Sequence, residues 1–126
     1  MTPKTDYLLD TNICIYILEG ASDRVASRLE QCDIGSVGVS SISYAEVMLG
    51  AVQLGDAAAA KSLFRKIGPL PFSKDAAEVY AALPFRRGSF DRLIAAHAIA
   101  LDATLVTNNE RDFRDIPGLL VENWTQ

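Results

Sequence analysis

Basic charge is scarce in this chain. Twelve lysines and arginines stand against 16 aspartates and glutamates, a formal net charge of -4 with a pI of about 4.9. That balance excludes a bulk basic nucleic-acid coat protein, which would present a positive surface field. The deficit is local: residues 1–60 carry three basic and eight acidic side chains, and residues 61–126 carry nine and eight. No apolar run approaches the roughly 20 residues of a membrane span. The start, Met-Thr-Pro-Lys-Thr-Asp, lacks the long apolar stretch and small-residue cleavage site of a signal peptide, so a cytoplasmic location without membrane partners is expected. The two cysteines, Cys14 and Cys32, sit with no motif spacing, and reduced core or near-core thiols are expected. No G-x-x-x-x-G-K-[ST] occurs, which removes the P-loop enzymes. Repeats, low-complexity tracts and linkers are missing too, so residues 1–126 are read as one domain.

Short apolar segments alternate with long ones, the pattern of βα units. Tyr7–Leu9, Gly35–Val39, Leu70–Phe72, Thr104–Thr107 and Leu119–Glu122 read as strands. Between them lie the helical stretches Ile13–Leu18, Ala21–Cys32, Ser43 to about Leu54, Ala57–Ile67 capped by Asp56, Asp75–Leu83 capped by Ser73, and Phe90–Leu101 capped by Ser89. Strands separated by helices favour an α/β fold with a mainly parallel sheet and helices on both faces. Ligands in such sheets bind beyond the carboxyl ends of the strands.

Acidic and polar residues gather at those ends. Asp10 closes the first strand, Glu46 follows the second, Asp91 lies in the first turn of its helix, and Asn109 follows Thr104–Thr107 with Glu110 and Asp112 behind it. Converging carboxylates repel one another unless a cation neutralises them. A cluster with oxygen ligands alone suits Mg²⁺, with Mn²⁺ as a substitute, rather than zinc. Each residue also has an ordinary structural role open to it. Asp10 could cap the next helix, and Ser43–Glu46 has the S-x-x-E form of a capping box. Asp91 would suit a helix dipole, and Asn109 is a common turn residue.

Four segments taken together, Leu8-Leu-Asp10-Thr-Asn12, Ser41-Ile-Ser-Tyr-Ala-Glu46-Val47, Gly88-Ser-Phe-Asp91-Arg-Leu-Ile-Ala-Ala-His97 and Leu105-Val-Thr107-Asn-Asn109-Glu-Arg-Asp-Phe113, resemble the PIN-domain ribonucleases. The likeness is strongest to the VapC toxins of bacterial type II toxin–antitoxin systems, and it runs to Glu122-Asn-Trp124. It implies a three-layer α/β/α PIN fold and a Mg²⁺-dependent endoribonuclease restrained by a cognate VapB-like antitoxin, as a homodimer within that complex. By motif, Asp10 and Asp91 match the principal metal-binding aspartates and Glu46 the acid of the second motif. Asn109 stands where many members have a fourth acid, and Thr107 matches the hydroxyl residue before it. Two departures stand out: Asn109 brings no charge, which Asp112 or Glu110 would have to supply, and Ala81–Ser89 is short for the family.

The mechanism implied has one Mg²⁺ held by Asp10 and Asp91, with Glu46 through water, and in-line attack of an activated water on the RNA phosphodiester. Glu46 or Asp112 would orient that water or accept its proton. Arg86, Arg87 and Arg92 flank Asp91 and are the candidates for RNA phosphate contacts. Phe85 and Phe90 are core or interface residues, or base-stacking ones. His97 lies six residues beyond Asp91, about 240° around a helix, and is read as a packed histidine. Two other readings compete. One is a magnesium-dependent phosphohydrolase with Asp10 as nucleophile, though Asn12 stands where such enzymes carry a second aspartate. The other is a non-catalytic PIN-like binding module.

Overall fold

The computed structural model describes residues 4–33, 35–84 and 90–126. The chain runs β1 (Tyr7–Leu9), α1 (Thr11–Glu19), α2 (Asp23–Glu30), β2 (Val37–Ser40), α3 (Ser41–Leu54), α4 (Ala57–Lys66), β3 (Pro69–Leu70) and α5 (Lys74–Ala82). It continues through α6 (Asp91–Leu101), β4 (Thr104–Val106), a 3-10 turn (Glu110–Phe113) and β5 (Val121–Glu122). Helical crossovers return the chain to the same edge each time, so neighbouring strands run the same way. The sheet order is β3-β2-β1-β4-β5, and every pairing is parallel. The mainly parallel sheet expected from the sequence is parallel throughout.

β1 sits in the middle, with Tyr7 opposite Val37 on one side and Thr104 on the other. Its alternation feeds two cores. Leu9 joins Val39 and Val106 in a core with Ile13, Val25, Val47, Phe64 and Trp124, contributed by α1 to α4 and the C-terminal segment. Leu8 joins Leu105 in a second core with Ile94, Ala95, Ala98, Phe113 and Ile116, built on α6 and the 3-10 turn. Leu8, Leu9, Leu105 and Val106 are fully buried, and burying each such side chain contributes about 1.5–3 kcal/mol. Helices therefore cover both faces, as the three-layer expectation requires.

Several boundaries differ from those read in the sequence, each for a local reason. β2 begins at Val37 rather than Gly35 because Ser36 is turned back onto the Asp33 carbonyl by both its N–H and its hydroxyl, at 3.0 and 2.7 Å. β3 stops at Leu70 because the Phe72 N–H donates to the Ser41 hydroxyl at 3.1 Å instead of continuing the ladder. Asp56 stands at the start of α4 without capping it through its side chain, whereas Ser73 caps α5 through the Ala76 N–H at 3.1 Å. Gly20 and Gly55 end α1 and α3 at φ of 63° and 81°, a conformation that costs glycine nothing and other residues something. The expected cap at Ser89 lies outside the described residues; α6 starts at Asp91 with Phe90 at its N-cap and no side-chain cap. Cys14 is buried, Cys32 is half-buried, and both are free thiols. Among the described residues no helix is long and apolar enough to cross a membrane.

Candidate active site

Parallel strands put every strand's carboxyl end at one edge, and the residues that follow them meet there. Asp10 follows β1 directly. Its backbone N–H donates to the Val106 carbonyl at 3.0 Å, so it is gripped by the sheet. Its side chain caps α1, accepting the Ile13 N–H at 2.9 Å, and it also accepts a hydrogen bond from the Thr107 hydroxyl. Thr107 is fully buried at the end of β4, and its Oγ1 accepts the Asn109 N–H at 3.0 Å. That contact turns the hydroxyl proton toward Asp10. The helix-cap role and the site role of Asp10 are thus one arrangement.

Asp10 is 5 % exposed, and its carboxyl is pushed up to about 6. Burial is the main cause, followed in opposition by the Thr107 and Ile13 hydrogen bonds, and then reinforced by the charges of Asp91 and Glu46. The charges of Asp91 and Glu46, from two different helices, therefore both reach the Asp10 carboxyl at the end of β1. No group of three or more acidic, His or Cys side chains among the described residues closes tightly enough to enclose an ion alone. Such a donor set still fits Mg²⁺, a hard cation that keeps several waters and takes only one or two carboxylates directly. Asp10, Asp91 and Glu46 are the residues that would hold it.

Glu46 reaches the site by a different route from the one its local motif implies. β2 runs through Ser40, and α3 starts at once: Ser40 is the N-cap, accepting the Ile42 N–H at 3.1 Å. Glu46 is consequently in the second turn of α3, and the Ser43–Glu46 capping box does not form; Ser43 is buried and its hydroxyl has no partner among the described residues. Freed from capping, the Glu46 carboxylate accepts a hydrogen bond from Thr11 Oγ1 at 2.7 Å. Thr11 was not singled out in the sequence. The partners are 35 residues apart, and no local pattern links them.

Asp91 is the first residue of α6, which runs antiparallel to the strands and so starts at their carboxyl edge. Asn109 and Asp112 are exposed and hydrogen-bonded to each other, Nδ2 to Oδ2. The carboxylates whose charge Asp10 feels are Asp91 and Glu46, not Asp112. Glu110 accepts from Asn123 at 3.2 Å. Neither acid of the 3-10 turn is therefore drawn to Asp10 as a substitute for a fourth carboxylate.

Arg92 corrects an expectation. It is 4 % exposed, and its Nη1 lies 3.5 Å from the Asp115 carboxylate, so it is not displayed to solvent for phosphate contact. One residue along a helix is a turn of about 100°, which here carries the side chain from the edge into the fold. Arg86, Arg87 and Phe85 lie outside the described residues. Phe90 is 56 % exposed beside Asp91. His97 packs as expected: it is buried, its Nδ1 meets Ser40 Oγ at 2.8 Å, and its ring stands edge-on to Phe72 with centroids 5.6 Å apart. Burial pushes its imidazole below the ordinary range, so it is neutral at pH 7.

Fold and site together define an open parallel α/β domain with an oxygen-only acidic cluster at the carboxyl edge of its strands. The family model described as the PIN domain matches residues 7–119. Ribonuclease VapC2 of Rickettsia felis is 35 % identical, over 94 % of this chain and 97 % of its own length. The crystal structure of VapBC2 from Rickettsia felis bound to a promoter DNA fragment superposes with a TM-score of 0.84 at 32 % identity, covering 95 % of this chain and 99 % of that one. DNA-bound VapBC from Salmonella typhimurium gives 0.86 at 26 % identity, covering 95 % and 98 %. This chain belongs to the PIN-domain family.

Proposed function

We propose that this PIN-domain protein is a metal-dependent endoribonuclease, the toxin of a toxin–antitoxin pair, held in check by a VapB-like antitoxin. The observation that carries the reading is Asp10: a carboxyl buried at the centre of the strand edge, with the charges of Asp91 and Glu46 turned on it and only neutral donors to hold it. Such an arrangement is costly in a bare protein and sensible around a cation. Mg²⁺, replaceable by Mn²⁺, would supply Lewis-acid stabilisation of phosphoryl charge and a water of lowered pKa.

The chain's own residues set the rest. Thr107 and the Ile13 N–H fix the Asp10 carboxylate, and Asp91 at the start of α6 would be a second ligand. Glu46 is placed to orient the attacking water or accept its proton. Asn109 and Asp112 line the outer side, where they would help hold that water or the substrate. Arg86 and Arg87 remain the candidate phosphate contacts. The likeness to VapBC complexes supports an antitoxin partner; a toxin homodimer within that complex and a cytoplasmic location belong to the same reading.

The phosphohydrolase reading is disfavoured by Asn12, which stands where such enzymes carry a second aspartate. RNA cleavage assayed with Mg²⁺ and again with EDTA tests the proposal. Cleavage lost with EDTA and absent in Asp91→Asn is the expected result. Equal cleavage under both conditions would overturn it, and no cleavage at all by the wild-type chain would favour the binding module.

A further inference from the structure

Glu46 has room to turn away from Asp10. It borders an open groove of about 410 Å³ between α1, α3 and α4, lined by Ile15, Val47, Ala51 and Leu54. A glutamate has three side-chain torsions, and nothing in the helix itself points this carboxylate at Asp10 rather than along the groove. Thr11 does. It is the first residue of α1, next to Asp10, and its hydroxyl donates to Glu46 Oε1 at 2.7 Å.

We propose that Thr11 is a positioning residue for metal binding and cleavage, tethering the Glu46 carboxylate to the Asp10 side of the site through its hydroxyl. The proposal rests on the nuclease reading above. The donor's chemistry matters as much as its place. A lysine or arginine at this position would hold Glu46 as firmly, but would cancel one of the three negative charges and repel the incoming cation. A neutral hydroxyl fixes the carboxylate and leaves its charge intact. Among the described residues Oε2 makes no hydrogen bond, so one oxygen is tethered and the other remains available to a metal-bound water.

The test uses the full chain with two substitutions, Thr11→Val, which keeps the shape and removes the hydroxyl, and Thr11→Ser, which restores it. Two quantities are read: Mn²⁺ affinity by electron paramagnetic resonance, and the rate of RNA cleavage. Outer-shell partners of metal ligands are typically worth ten- to a hundredfold. Thr11→Val is therefore expected to weaken Mn²⁺ binding about tenfold and to slow cleavage by about the same factor, while Thr11→Ser stays within about twofold of wild type. In a Glu46→Ala background, which removes the acceptor, Thr11→Val should change Mn²⁺ affinity no further. Wild-type affinity and rate in Thr11→Val would overturn the proposal, as would failure of Thr11→Ser to rescue or an undiminished loss in the Glu46→Ala background. A wild-type chain that neither binds Mn²⁺ nor cuts RNA would instead overturn the nuclease reading beneath it.

Discussion

Two carboxylates at strand ends in this protein receive opposite treatment. Glu122, on the edge strand β5, is partly exposed, yet Arg28 Nη2 donates to it at 2.9 Å and the Trp124 indole N–H at 3.1 Å. Arg28 also lies over the Trp124 ring, 5.1 Å from its centroid, and Tyr7 meets that ring edge-on at 5.2 Å. Asp10, at the end of the central strand, is buried where a counter-charge is most needed, and among the described residues it meets only a backbone N–H, a hydroxyl and two further acids. The structural acid gets a cation from the chain. The other is the one that, on the reading above, would take a cation from solution, and that inversion separates scaffold from site more clearly than burial or charge alone.

The comparison can be broken at either end. The largest effect should come from removing a carboxylate of the trio. Metal-held charge is worth several kcal/mol to a phosphoryl transition state, so Asp91→Asn should slow RNA cleavage on the order of a thousandfold. Single-turnover assays at saturating Mg²⁺ would measure it, and a rate within tenfold of wild type would remove Asp91 from the site. Next, Trp124→Ala at the scaffold end should cost about 3–4 kcal/mol of stability by opening a cavity under a fully buried ring. Urea unfolding would show it.

Asp10→Asn should do the reverse. With its folded value raised to about 6 from 3.8, the native state holds a proton there that the unfolded chain gives up first. Metal-free stability from this group is therefore highest at low pH and is lost as pH rises from about 4 to about 6. At pH 7 that ionisation costs roughly 3 kcal/mol, so Asp10→Asn should raise the melting temperature of the EDTA-treated protein while abolishing cleavage. A lower melting temperature would show that the burden is not there. The smallest effect belongs to Arg28→Ala, whose half-exposed pair with Glu122 is worth about 0–1 kcal/mol. Its cleavage rate should match wild type; a large fall would mean that the two ends are coupled.

How much of this was legible in the sequence depends on how far apart the interacting residues lie. Asp10, Asp91 and the Thr107–Asn109 turn could be placed because each follows or precedes an element whose end is marked locally. His97 was placed as a packed residue by helical angle alone. For Glu46 the position after β2 points to the strand edge, and the competing capping box is the reading that does not form. Ser40, Ser41 and Ser43 offer three caps within four residues, and only the reach of β2 through Ser40 decides among them. Arg92 misled because adjacency to a site residue says nothing about which way a helix turns the next side chain. Thr11 could not be found at all, since its partner belongs to another βα unit.

The position of β1 has a further consequence. Its neighbours come from opposite halves of the chain, and Tyr7 pairs with Thr104 across nearly the full sequence. Pairings so distant form late and slowly. Asp10, Glu46, Asp91 and Thr107 are each contributed by a different stretch, and no partial structure contains the set. The acidic site is thus assembled only when the topology is complete, so a partly folded chain does not carry it.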